Sequence, residues 1–153
     1  MTDISCHKSP AYTNTSGVYM KSGELSVASN RQMELIDITT DINKLAKSAA
    51  AGTGLIHLFN PHTTAGLTIN EGADPAVRED IISGLSAFIP MHYPFKHAEG
   101  NSPAHIMASL IGSSLTLFVE DGRLVLGQWQ RVFFCEFDGP RHRHILWRFA
   151  ATL

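Results

Sequence analysis

The chain has 153 residues, 44% of them aliphatic or aromatic and 17% charged, with a formal net charge of -2. This is the length of one domain, with enough apolar material to build a core without staples and none of the charge excess that keeps a chain disordered. The charge balance leaves no basic footprint for nucleic acid or for an anionic lipid surface, so neither is expected as a partner.

The two cysteines, Cys6 and Cys135, lie far apart, which is neither a disulfide framework nor a cysteine-metal spacing. No apolar run approaches the ~20 residues that a bilayer span needs, and the first residues lack the basic start and apolar centre of a signal peptide. A reducing cytoplasm is the expected location. Eight histidines against five lysines is an unusual balance.

Residues 1–22 are rich in Ser, Thr, Asn and Pro with no apolar period, so they are expected to form a loose or weakly docked arm before a single domain over 23–153. Short apolar alternations at 24–27 and 33–38, separated by Ser29 and Asn30, predict two strands able to pair as a hairpin. Thr39 or Thr40 then offers a cap to a helix carrying Ile42, Leu45, Ala46 and Ala49, which Gly52 and Gly54 end. Two more strands are predicted at 55–59 and 65–70, on either side of Asn60-Pro61.

Asp74 and Pro75 open a second helix with an apolar face of Val77, Ile81, Ile82, Leu85 and Phe88, stopped by Pro90. The long connection over 91–100 carries His92, Tyr93 and His97, and connections of this length are often functional. Ser102 and Pro103 begin a short third helix that ends at Gly112. The remainder is β-rich, at 115–120, 124–126, 130–137 and 142–149, with Asp121-Gly122 predicting a type I′ hairpin turn.

Over residues 132–137 the apolar side chains occupy both faces, so that strand is expected to be covered on both sides, with a second subunit as one source of the second cover. The order of elements predicts an α+β fold, a β-sandwich or mixed sheet with two to three helices.

Four segments concentrate polar residues beside these strands. They are 62–65 (His-Thr-Thr-Ala), 70–74 (Asn-Glu-Gly-Ala-Asp), the stretch from His97 to His105, and 127–130 followed by 138–143. In this order, with Ala104-His105-Ile106, Leu126-Gly127-Gln128-Trp129-Gln130 and Asp138-Gly139-Pro140-Arg141-His142-Arg143, they resemble the YjbQ-like family of secondary thiamine-phosphate synthases, over roughly residues 24 to 150. The resemblance implies a small homotrimer with a sandwich-like α+β fold. It also implies an activity, joining a hydroxymethylpyrimidine diphosphate to a thiazole phosphate with release of diphosphate.

The residues have their own reading. His105 falls in the first turn of a helix, where the peptide dipoles favour a neutral ring able to bind a metal. With His97 on the preceding loop and with His62 it makes a three-histidine set, the count that leaves zinc one open position. The alternative is that each histidine serves only backbone caps or the surface.

Glu71 and Asp80 are the candidate carboxylates, as general base or as ligands for a magnesium that holds diphosphate, with Glu71 ranked first because it sits where a strand meets a helix. A straight strand from His62 to Glu71 would hold them roughly 30 Å apart, so either the chain bends near Gly66 or different subunits supply the two residues. Arg141 and Arg143 share a strand face and suit a phosphate, with backbone N–H groups near Asn101 and with Gln128 nearby; the competing reading pairs the arginines with Glu136 or Asp138. Trp129 is read as structural.

The expected ligand is therefore a phosphorylated small molecule, with a divalent metal and no organic cofactor. A transferase, a metal-dependent hydrolase and a non-catalytic metal- or phosphometabolite-binding protein are the competing functions.

Overall fold

The computed structural model describes residues 6–8, 12–13, 19–49 and 52–151. In chain order its elements are β1 (Cys6–Lys8), β2 (Tyr12–Thr13), β3 (Tyr19–Ala28), β4 (Glu34–Asp37), α1 (Thr39–Ala49), β5 (Gly54–Phe59), β6 (Ala65–Glu71), α2 (Pro75–Phe88), α3 (Ser102–Ile111), β7 (Ser114–Glu120), β8 (Arg123–Leu124), β9 (Gln130–Glu136) and β10 (His142–Ala151). Every strand pairing among them is antiparallel. The fold is α+β, as expected, and takes the sandwich rather than the mixed-sheet form.

The large sheet runs β1-β3-β10-β5-β7-β8, with β2 also on β3, and the small one runs β4-β9-β6. Strand alternation sends Ile56 and Leu58, Leu117 and Val119, and Ile145, Trp147 and Phe149 into the interior, while His57, Phe118 and Arg148 face outward. These inward residues meet Leu67, Val132 and Phe134 of the small sheet, and α1 joins the same core through Ile42, Leu45, Ala46 and Ala49.

β9 is buried on both faces, as expected. Val132 and Phe134 enter the core between the sheets, whereas Phe133, Cys135 and Phe137 enter a second core with Ile89, Ala104 and Met107. The second cover is thus supplied by this chain's own α3 and the end of α2, not by another subunit. α2 itself has no fully buried residue and contributes Ile81, Ile82 and Leu85 as half-buried contacts.

Other local expectations are corrected. β3 and β4 do not form a hairpin: they lie in different sheets, because the Ser29 N–H and hydroxyl bond to the Arg141 carbonyl and carry the chain across the sandwich. Thr39 does not cap α1 either. Its hydroxyl accepts from the Val132 N–H at 2.8 Å, and its own N–H donates to Asp37 Oδ1 at 2.9 Å. Asp74 does cap α2, accepting from the Ala76 N–H at 2.9 Å.

The cap of α3 is Asn101, one residue earlier than the serine, and it makes no side-chain cap bond. Both turn residues Asp121 and Gly122 have positive φ, at 49° and 71°, as the type I′ hairpin requires. Of the arm over residues 1–22, the described strands β1 and β2 both pair with β3, which itself begins at Tyr19.

Candidate functional site

The polar site begins in the loop that carries the chain from one sheet to the other between β5 and β6. Asn60, only 1% exposed, holds that loop from inside: its Nδ2 donates to the Ala65 carbonyl at 2.6 Å and the His62 carbonyl at 3.1 Å, and its Oδ1 accepts from the His62 N–H at 3.1 Å. A buried amide satisfied on both ends fixes its loop, because each lost bond leaves a desolvated group unpaired. The backbone at His62 is therefore set before any ligand arrives.

The His62 ring points at β10, where Nε2 accepts from the His144 N–H at 3.1 Å and the two imidazoles stand edge to face, 4.7 Å between centroids. A nitrogen that accepts an amide proton is unprotonated, so His62 is held as the Nδ1–H tautomer. Burial holds its pKa below the ordinary value, helped by the nearby charges of Arg143 and His144.

Across a cleft of about 490 Å³, lined also by Asn60, Thr63, Ser109 and Ser113, the wall opposite His62 is α3 with His105. The His105 ring packs against His97 from the long loop, 5.4 Å between centroids, and His97 Nε2 lies 3.6 Å from Glu99 Oε2. The sequence set of His62, His97 and His105 thus appears as a pair, His97 with His105, and as two faces of one cleft, His62 and His105. Among the described residues no three His, Cys, Asp or Glu side chains form a group able to hold a metal ion.

Packing places the walls so close. Gly66 lies where α3 ends against β6: a Cβ there would meet Ile111 Cγ2 at 2.8 Å and the Gly112 carbonyl at 3.0 Å. β6 runs without a break through Gly66, each residue in register with β9. His62 precedes the strand and Glu71 ends it, with Glu71 opposite Gln130. Asp80 lies exposed on α2. Neither carboxylate lines the histidine cleft.

The arginines are both paired. Arg143 donates from Nε to Glu136 Oε2 and from Nη2 to Glu136 Oε1, each at 2.7 Å, and from Nη2 to the Thr64 hydroxyl at 2.9 Å. Glu136 has no exposed surface and also accepts from Ser29 and from the N–H groups of Phe137 and Asp138. Burial pushes the Glu136 pKa up, but the bonds from Arg143 and the Asp138 N–H outweigh it and hold it below the ordinary carboxylate value.

Arg141 donates from Nε and Nη2 to the Asp138 carbonyl and carboxylate, both at 2.7 Å, and remains half exposed. Asn101 bridges from α3 to the same carboxylate, Nδ2 to Asp138 Oδ2 at 3.2 Å. Gln128 is an exposed turn residue, as is Trp129.

The chain matches the family model described as UPF0047 protein YjbQ-like over residues 23–152, a range that contains all of these segments. The chain belongs to the YjbQ-like family. It is 50% identical over 117 residues to a UPF0047 protein of Methanocaldococcus jannaschii, covering 76% of this chain and 85% of that one. It is also 42% identical over 120 residues to the UPF0047 protein YugU of Bacillus subtilis, covering 78% and 91%.

Among solved structures, a YjbQ/UPF0047 protein from Clostridium acetobutylicum matches with a TM-score of 0.80 at 45% identity, over 82% of this chain and 98% of that one. A YjbQ-like protein from Sulfolobus solfataricus, described as of unknown function, matches with a TM-score of 0.83 at 30% identity, over 88% and 99%. Among the described residues no helix is long and apolar enough to cross a membrane.

Inspection of motifs missed Asn60, Ser109 and Ser113 in the cleft. Asn60 was visible only as half of an Asn-Pro interruption, Ser109 only as a helix position, and Ser113 only as part of the connection between a helix and a strand.

Proposed function

We propose that this YjbQ-like chain is a cytoplasmic enzyme acting on a phosphorylated small molecule in the cleft between His62 and His105, with thiamine-phosphate synthesis as its reaction. The observation that carries the reading is the placement of a clamped, neutral His62 and of His105 on the walls of one cleft. In that reaction the thiazole nitrogen lone pair forms a bond to the pyrimidine methylene carbon as the bond from that carbon to diphosphate oxygen breaks.

The chain's own groups divide the work. His62 presents its Nδ1–H, and His105 donates a hydrogen bond to the departing diphosphate. Thr63, Ser109 and Ser113 orient oxygen atoms, whereas Arg141, Asn101 and Gln128 do not line the cleft, Gln128 lying at the opposite end of β9, and would reach the phosphate end only from a neighbouring copy. Arg143 acts from behind, because both arms are committed to Glu136 and it reaches the cleft loop only through Thr64.

The donor set of one chain is incomplete for a transition metal, since the His62 Nε2 lone pair is used and His97 with His105 offers two ligands. A zinc-like ion at His97 and His105, or a magnesium with diphosphate, would polarise phosphate oxygens. Completing either site is assigned to a neighbouring copy in a homotrimer, which brings Glu71 or Asp80 to the cleft.

The test is incubation of the purified protein with the pyrimidine diphosphate and thiazole phosphate, with and without magnesium, and chromatography for thiamine phosphate. Product that falls at least a hundredfold in His105→Ala supports the reading. Phosphate release from either substrate alone, with only water as co-substrate, means hydrolysis instead. Tight binding without any turnover means a binding protein.

A further inference from the structure

A separate groove of about 240 Å³ lies between the segment leading into β4 and the first turns of α2, with Arg31, Arg78, Glu34, Glu79, Met33 and Ile82 among its walls. It shares no lining residue with the histidine cleft. The Nε of Arg78 is buried here and has no hydrogen-bond partner. Neither Arg78 nor Arg31 makes an ion pair among the described residues.

A guanidinium stays charged at any ordinary pH, so its buried N–H cannot escape the missing acceptor by losing a proton. Leaving such a donor unpaired costs more than leaving a neutral one, and native proteins rarely do so without a water or an ion in place. Neither wall carboxylate is bonded to Arg78 Nε among the described residues: Glu34 Oε2 instead accepts from the Asn30 N–H at 2.8 Å, and Glu79 is exposed on α2. The free groups of the helix start are N–H donors, which cannot accept from Arg78 Nε.

We propose that this groove is a second ligand site, for a small oxyanion held between Arg78 Nε and the guanidinium of Arg31. Carboxylate and phosphate share the required chemistry, with paired oxygens facing forked donors. The volume admits an anionic head group, and Met33 and Ile82 offer an apolar wall to whatever carbon chain follows it.

Calorimetric titration of the full chain with inorganic phosphate, acetate and glycerol phosphate tests this and separates free phosphate from a monoester or a carboxylate. Saturable binding of at least one of these anions, weakened tenfold or more in both Arg78→Met and Arg31→Met but not in Arg148→Met, is the expected result. Without anion, Arg78→Met should melt no lower than the parent, because it removes a charge that has no partner. The proposal is overturned if none of the three anions binds saturably, or if binding survives both substitutions. It is equally overturned if Arg78→Met melts lower and changes the mass by light scattering, which would make a second copy of the chain the acceptor.

Discussion

Arg143 and Glu136 meet side by side, two parallel hydrogen bonds of 2.7 Å joining the start of β10 to the end of β9. Glu136 has no exposed surface, and it joins three segments through Arg143, Ser29, and the adjacent Phe137 and Asp138. Thr64, hung on the same guanidinium, connects this knot to the loop of His62.

Breaking the pair from one side leaves the other charge buried. Arg143→Met should therefore cost about 3–5 kcal/mol by urea unfolding, whereas the double change Arg143→Met with Glu136→Leu should recover much of that loss. A single-variant loss below about 1 kcal/mol would place this pair with surface bridges.

The depressed Glu136 pKa makes a statement about acid. Its folded pKa lies below the unfolded one, so its contribution is complete above the unfolded value and disappears as pH falls through the folded value. The melting temperature of the parent should fall steeply on the acid side of pH 4.5, and less steeply in the double variant.

His62 acts in the same direction at higher pH. Burial first, then Arg143 and His144, hold its folded pKa below 6.5, so its contribution is complete above 6.5 and declines as pH falls below that. Nitrogen NMR should show Nδ1 protonated and Nε2 bare at pH 7, with titration below 6.5. Protonation of both nitrogens at pH 7 would contradict the bond from His144.

Gly66→Ala tests the contact between β6 and α3. Its Cβ would strike Ile111 and the Gly112 carbonyl, so a loss of about 1–3 kcal/mol is expected, together with weaker ligand binding in the cleft whose floor includes Gly112.

Cys135 is 1% exposed, and burial pushes its thiol pKa up to about 12. In a Cys6→Ser background it should resist iodoacetamide in the native protein and react only on unfolding, since the thiolate is the nucleophile. Rapid native labelling would mean that the second core opens.

Local chemistry wrote much of this fold plainly. Asp74-Pro75 started α2 where expected, Asp121-Gly122 made its turn, and the double-sided apolar run of β9 announced a strand covered twice. Sheet partners were not legible, because the alternations of β3 and β4 look the same whether two strands pair or face each other across a core.

The histidines could be picked out, but not how they divide. Which ring lone pair His62 spends depends on a His144 N–H that is 82 residues away. Likewise the arginine spacing admitted both an anion and an acidic partner. Glu136 decided it for Arg143, taking both of its arms.

The large sheet is completed from its middle. β10, the last strand, lies between β3 and β5, matched to Met20 through Ala28 on one side and to Gly54 through Phe59 on the other. Until a ribosome has delivered residues 142–151, β3 and β5 present bare edges of the kind that recruit other chains. The large sheet of this protein therefore cannot close until β10 has been made.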